Sequence, residues 1–239
     1  YRCSRKIMKI KINNIELQVE NDMTFWNNIS EWEKYSFEII DKFINGNTFV
    51  DIGAWNGVLS MYASFKAKEV HSFEPDKIAF KNLENNIKLN SINNIKINNV
   101  GASNINGVAN LYVRSFGDST SSLIERKEEK YHSHIIENIL TINISEYLSA
   151  LNNIGLIKID IEGGEEIVIP SMEDYIIKNK QKMYISFHPN WFTEKEKSIN
   201  YFAELFSINY KIYNILHKEI SKQDFINGLN GKEHSYYFA

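Results

Sequence analysis

Cysteine is almost absent from this chain: Cys3 is the only one in 239 residues. A lone thiol closes no intrachain disulfide, so nothing in the sequence calls for an oxidising compartment. Long apolar runs are missing as well. A bilayer span needs roughly 18–20 apolar residues, and the longest suspect, residues 154–161, is broken by Lys158 and Asp160. Surplus positive charge is missing too: 27 Lys and Arg against 30 Asp and Glu leave a net charge of −3. With a pI near 6.1, the balance argues against a broad nucleic-acid surface. No secretory pattern opens the chain, and the absent initial Met points to a trimmed or internal start. A cytoplasmic protein without a membrane span or a nucleic-acid partner is the expectation. Proline is scarce, and Pro75, Pro170 and Pro189 each follow a short apolar run, where they punctuate the pattern.

What remains is an ordinary globular composition, 43% hydrophobic and 24% charged, which excludes wholesale disorder. The length suits one large domain with a small appendage. Asn, Ile and Lys are frequent, above all in the tract at residues 82–99. Apolar residues interrupt that tract regularly, so it reads as the drift of an AT-rich coding sequence rather than a prion-like or binding segment. No internal repeat is visible.

Residues 1–47 read as the appendage. Alternation over 8–19 around Asn13-Asn14 predicts a hairpin, and apolar spacing over 26–44 predicts a helix ending at Asn45-Gly46. From residue 48 to 239 the chain reads as a second unit in which strands and helices alternate. Strands are predicted at 48–52, 69–73, 95–99, 156–161 and 182–187. Helices are predicted at 57–67, 78–90, 145–151, 165–178 and 193–206. Residues 107–113 read as a short strand, and 116–138 (about 114–140 with its flanks) as a charged, Ser-rich insertion suited to a lid or acceptor loop. Two closing strands, 210–216 and 235–238, show no obvious helix between them and suggest an antiparallel hairpin. Alternating strands and helices imply an α/β fold with a mostly parallel sheet covered on both faces.

The strongest local signal is Asp51-Ile52-Gly53-Ala54-Trp55-Asn56-Gly57. A strand runs into a Gly-x-x-x-Gly turn, where Gly53 permits close approach of backbone to ligand and Gly57 lets the next helix sit tight on the sheet. Asp51 brings a carboxylate to the crevice where open α/β sheets bind ligands. Glu74 closes the second strand, at the place where an acid accepts both hydroxyls of a ribose. Dinucleotide sites prefer Gly-x-Gly-x-x-Gly, whose middle glycine admits a pyrophosphate, and that glycine is missing here. An acidic crevice without a phosphate cradle suits S-adenosylmethionine, with its ribose, adenine and ammonium, better than NAD.

The second signal is Ile157-Lys158-Ile159-Asp160-Ile161-Glu162-Gly163-Gly164-Glu165. If the strand persists, alternation sends Lys158, Asp160 and Glu162 to one face; if it ends by Ile161, Asp160 sits at the carboxyl edge and Glu162 in the loop. Pairing of Asp160 with Lys158, or capping of the next helix, is the structural alternative. Glu165 falls in the first helical turn, where the dipole favours it. His188, before Pro189 at the end of the fifth strand, is placed to act as a general base or as a structural histidine. His132 and His134 read as solvated loop residues. No metal site is assigned, although Asp160, Glu162 and His188 would gather an ion if the fold brings them together.

Together Asp51–Gly57, Phe73-Glu74-Pro75-Asp76, residues 82–90, residues 98–103, residues 119–123 and the Lys158–Glu165 motif resemble the FkbM family of S-adenosylmethionine-dependent methyltransferases over about residues 48–190. The resemblance implies a class I, Rossmann-like methyltransferase fold: a seven-stranded, mostly parallel sheet whose last strand is antiparallel. It also implies O-methylation, often of sugars or secondary metabolites. By position it assigns the cofactor acid to Glu74, beside Pro75, and places the loop Gly101-Ala102-Ser103 against the adenine. The turn residues Gly53, Ala54, Asn56 and Gly57 complete the cofactor set. Two departures stand out. Trp55 separates Ala54 from the asparagine that usually follows it directly, and Ser186 stands where the family often has Glu, two residues before His188.

The expected activity is methyl transfer to a hydroxyl of a small-molecule or glycan acceptor, with Asp160 as the first candidate base, His188 the second and Glu162 the third. A NAD-dependent oxidoreductase, a non-catalytic S-adenosylmethionine-binding protein and an RNA methyltransferase are the alternatives. The acceptor, and the oligomeric state, are not written in the sequence.

Overall fold

In the computed structural model, which describes residues 6–21, 24–126 and 135–239, the alternation of the sequence becomes a layered α/β fold. The hairpin forms as β1 (Lys6–Ile12) and β2 (Ile15–Asn21). A 3-10 turn at Thr24–Asn28 leads into α1 (Ile29–Trp32) and α2 (Lys34–Phe43). The predicted helix over 26–44 is therefore broken, with Glu33 as the joint between its two α-helical pieces.

The main sheet begins with β3 (Thr48–Ile52), α3 (Val58–Ser64), β4 (Glu69–Phe73), α4 (Lys77–Leu89) and β5 (Ile95–Asn98). A side sheet follows: β6 (Gly101–Ser103), β7 (Gly107–Val113) and β8 (Ile135–Asn143). The chain then returns through α5 (Ile144–Ser149), β9 (Ile154–Ile159), α6 (Glu165–Ser171), α7 (Glu173–Asn179) and β10 (Met183–Ser186). It closes with α8 (Lys195–Asn209), β11 (Ile212–Asn214), β12 (Glu219–Ile220), α9 (Lys222–Asn230) and β13 (Ser235–Phe238).

Strand order in the main sheet is β12-β11-β13-β10-β9-β3-β4-β5. Strands β10, β9, β3, β4 and β5 run parallel, whereas β13 is antiparallel to both β10 and β11. The expected mostly parallel sheet with a reversed last strand is present. It carries an eighth strand, the two-residue β12, antiparallel to β11 at the edge. The sheet reverses direction of travel between β3 and β9, the switch point at which such sheets open a ligand crevice.

Other departures have local causes. The helix predicted over 165–178 is two helices, because Pro170 lies inside α6 and lacks the N–H that would continue the ladder. A helix, α9, occupies the stretch between the closing strands that showed none in the sequence. Its Asn and Gly residues hide it, but a Ser221–Asp224 capping box starts it and buried Phe225 and Leu229 anchor it. The insertion is not all loop, since residues 135–143 pair along β7 as β8. His132 and His134 lie outside the described residues.

Side-chain alternation splits the core over the two sheet faces. Val50, Ile52, Ile157, Ile159 and Ile185 pack on one side with Phe187, Phe202 and Phe206. Phe49, Leu156 and Tyr184 pack on the other with α3, α2 and the hairpin. The Asn-rich tract has a structural use there. Asn86 on α4 and Asn90 at its C-cap accept from the backbone N–H groups of Glu20 and Gln18, and Asn90 donates to the Gln18 carbonyl. These bonds satisfy the free edge of β2, which would otherwise need water or another strand. No helix among the described residues is long and apolar enough to cross a membrane.

Candidate functional site

The carboxyl ends of β3 and β9 are neighbours, so the two sequence motifs meet there. Asp160 N–H donates to the Ile52 carbonyl at 3.0 Å. Gly53, at φ +83°, is pressed so close to this junction that a Cβ would lie 1.8 Å from the Asp160 carbonyl oxygen. Only glycine fits. Gly53 and Ala54 N–H both donate to the Phe73 carbonyl, which ties the turn to β4. Gly57 also has a positive φ, but the atom that would meet its Cβ is Leu83 of α4, at 2.2 Å. Its close contact is thus with the next helix, not with the sheet as expected from the sequence.

Asp51 and Lys158 are register partners on β3 and β9, and both are buried. Lys158 Nζ lies 3.2 Å from Asp51 Oδ1 and donates to the Gly53 carbonyl at 2.6 Å. Ser60 donates to Asp51 Oδ2. Burial pulls the Lys158 ammonium down, but Asp51 and Asp160 outweigh it and hold it above its ordinary range. Asp51 therefore has a partner within the protein, and the crevice floor is an ion pair rather than the free carboxylate expected from the sequence. Asn56 is buried too, and its carboxamide has no hydrogen-bond partner among the described residues.

Glu74 closes β4 with its carboxylate under the turn. Trp55 N–H donates to Oε2 and Asp76 N–H to Oε1, each at 2.8 Å. Burial raises its pKa to about 7 even though both bonds favour the ionised form. Glu74 lines a cavity together with Gly53, Trp55, Pro75, Gly101, Ala102 and Asp160. Gly101-Ala102 reach it as the strand β6 rather than as a loop. The roof comes from the insertion. Asp76 Oδ2 accepts from Gly117 N–H and Ser121 Oγ, Trp55 Nε1 donates to the Gly117 carbonyl, and Ser122 Oγ to the Glu162 carbonyl. Asp76 meanwhile caps α4 through Ile78 and Ala79 N–H.

Strand β9 ends at Ile159, so Asp160 stands at its edge and Glu162 in the following loop, at φ +58°. The fold brings Asp160, Glu162 and His188 together. His188 Nε2 lies 3.6 Å from Asp160 Oδ1 and 3.7 Å from Glu162 Oε2. Glu165, fully buried, organises the group in a way that the helix-dipole reading missed. Its carboxylate accepts from Ile161 and Gly163 N–H and from His188 N–H, and lies 3.2 Å from His188 Nδ1. Burial lowers the imidazole, but Glu165, Glu162 and Asp160 outweigh it and raise the pKa to about 9. Burial also pushes the Glu162 carboxyl up, against the attraction of His188 and Arg126.

Sequence reasoning also missed Arg126 and Trp191. Arg126 donates to the carboxylate and carbonyl of Glu162 and lies over the Trp191 ring, which stacks on His188 at 4.9 Å. Arg126 was hidden in the stretch read as a charged, Ser-rich insertion. No motif marks it, since its partner is 36 residues away. A second cavity opens beyond this group, bounded by Trp32 and Glu33 of the N-terminal helices, by Lys158 and by His188. Gly53, Trp55, Ser119, Asp160 and Glu162 line both cavities.

The FkbM methyltransferase domain matches residues 51–219, more than two thirds of the chain. No curated protein matches. Among solved structures, a methyltransferase FkbM from Methylobacillus flagellatus KT superposes with a TM-score of 0.50 at 15% identity, over 90% of this chain and 60% of that one. The chain thus spans about 60% of the length of that relative. An rRNA methylase from Streptococcus thermophilus gives 0.49 at 10% identity, over 85% of this chain and 91% of that one. A methyltransferase from Streptococcus mutans, in complex with SAH, also gives 0.49 at 10% identity, over 86% and 95%. At 15% identity the likeness to the Methylobacillus structure shows the fold alone.

Proposed function

The chain belongs to the FkbM methyltransferase family, and from that premise we propose that it methylates a hydroxyl oxygen of a small-molecule or glycan acceptor with S-adenosylmethionine as donor. The observation that carries this reading is the pair of cavities that meet at Asp160 and Glu162. One is suited to the donor, the other to the acceptor, and the acidic edge lies between them.

The residues fit the donor. Each Glu74 oxygen accepts one backbone N–H and retains capacity for a ribose hydroxyl. Gly53, which lines the cavity, adds no side chain to it. Pro75, Gly101 and Ala102 supply a mostly apolar wall for a base. No run of backbone N–H groups at this turn is arranged for a pyrophosphate, and the Asp51–Lys158 pair beneath it is neutral overall. The roles proposed for Ala54, Asn56 and Gly57 are to shape the turn. S-adenosylmethionine supplies an electrophilic methyl group on a sulfonium.

On the acceptor side the chain holds and receives a proton. Asp160 lies in both cavities, so its carboxylate is within reach of an acceptor hydroxyl and takes the proton released as the oxygen is methylated. His188, held by Glu165 and protonated below about pH 9, positions that carboxylate and the acceptor oxygen. Glu162, bound by Arg126, closes the edge. Alignment of the acceptor in this walled space supplies the larger share of the acceleration.

Calorimetry with S-adenosylhomocysteine tests the donor site, and saturable binding is expected. A panel of hydroxyl acceptors followed by mass spectrometry tests the transfer. Asp160→Asn is expected to lower turnover about a hundredfold or more, the usual range for a lost general base, with S-adenosylhomocysteine affinity nearly unchanged. Turnover close to that of the wild type would remove Asp160 from the base role.

A further inference from the structure

Three donor atoms at the junction of the two cavities, one each from Asp160, Glu162 and His188, lie within 4.8 Å of one another. They come from a strand end, a left-handed loop position and the segment just past the end of β10, so their convergence is a product of the fold. We propose that these three side chains bind a divalent metal cation whose open coordination positions face the acceptor cavity. The inference concerns the same edge as the methyl-transfer reading and adds to it a ligand for the acceptor oxygen.

The spacing suits a cation. A metal roughly 2.0–2.4 Å from each ligand sits among donors about 3–4 Å apart, and the His188 Nε2 to carboxylate separations are 3.6 and 3.7 Å. The imidazole is also held as metal-ligating histidines are held. Fully buried Glu165 takes Nδ1 and the His188 backbone N–H, which fixes the ring and turns Nε2 toward Asp160 and Glu162. Trp191 stacked on the ring limits its rotation further. All three ligands keep solvent access, with side chains 35%, 16% and 19% exposed for Asp160, Glu162 and His188, so an ion can enter.

The charge count agrees. Asp160, Glu162 and Glu165 face one guanidinium, Arg126, because the nearby Lys158 is committed to Asp51. Metal binding displaces the His188 proton, and with the imidazole neutral the group carries two surplus negative charges, which a divalent cation balances. One imidazole with two carboxylates suits Mn²⁺, or a similar ion of hard to borderline character. An acceptor hydroxyl on an open position would be fixed beside the donor cavity and its proton made more acidic.

The test uses metal-stripped protein titrated with MnCl2 and followed by electron paramagnetic resonance. One Mn²⁺ per chain is expected, with electron spin echo modulation from a single coupled nitrogen. His188→Asn should remove the nitrogen modulation and weaken Mn²⁺ binding at least tenfold. Asp160→Asn should weaken binding similarly while keeping the nitrogen signal. Thermal melting checks that both variants remain folded. Absence of stoichiometric binding, or binding that neither substitution affects, overturns the proposal. S-adenosylhomocysteine calorimetry on the same preparation separates the two readings. Nucleoside binding without Mn²⁺ uptake overturns the cation site alone, whereas Mn²⁺ uptake without nucleoside binding supports the site and counts against the methyltransferase reading.

Discussion

Single residues at the crevice show how burial and hydrogen bonding compete. Glu74 accepts two backbone N–H bonds that favour its charged form, yet its pKa stands at about 7 because burial costs more than those bonds return. A ribose is better held by the ionised carboxylate, so S-adenosylhomocysteine should bind more tightly as pH rises from 6 to 8. Glu74→Gln should weaken binding roughly tenfold, the scale of a lost hydrogen bond to a charge, and flatten that pH dependence. Calorimetry at three pH values checks both, and a Gln variant with the wild-type pH profile would take Glu74 out of the ribose role. The sequence made Glu74 and Gly53 legible because strand, turn and acid occur at short, fixed spacing. Arg126, Glu165 and Trp191 were not legible in their roles, since each acts on a partner that only the fold brings near.

At the scale of elements, one aspartate couples a helix to a loop. Asp76 caps α4 with Oδ1 and holds the 115–122 segment over the donor cavity with Oδ2. Asp76→Ala should cost about 1–2 kcal/mol from the cap alone, or about 2–8 °C in melting temperature for a chain of this size. It should also expose the 114–126 segment to limited proteolysis and weaken S-adenosylhomocysteine binding. A variant whose loop stays as resistant as the wild type would show that the strap is not needed. Elements with strong periodicity, such as β3, β4 and α4, were readable within a residue or two. Helix α9 and strand β8 were not, because polar and Gly-containing sequence carries little propensity and tertiary burial decides such segments.

At the scale of the whole molecule, two buried titratable groups of the site, Glu74 and His188, point one way. The Glu74 carboxyl, raised from 4.5 to about 7, contributes stability that is complete below pH 4.5 and lost as pH rises through 7. His188, raised from 6.5 to about 9, contributes stability that is complete below pH 6.5 and lost as pH rises through 9. The difference in melting temperature between wild type and His188→Asn should therefore shrink from pH 6 to pH 9.5. A difference that is constant or grows would contradict the raised pKa. Bound S-adenosylhomocysteine should protect by mass action, most visibly at alkaline pH, where the Glu74 and His188 contributions are lost and Glu74 is ionised.

By itself the sequence determined the layered α/β architecture and the ends of strands at which a ligand would lie. Period, glycine placement and strand-end acids are local properties, and a local pattern survives without the rest of the chain. Tertiary structure alone decided which charges neutralise one another. Asp51 turned out to be the partner of Lys158, and His188 became the centre of three carboxylates. Such pairings depend on strand order and register, which join residues far apart along the chain, Asp51 and Lys158 by more than a hundred positions.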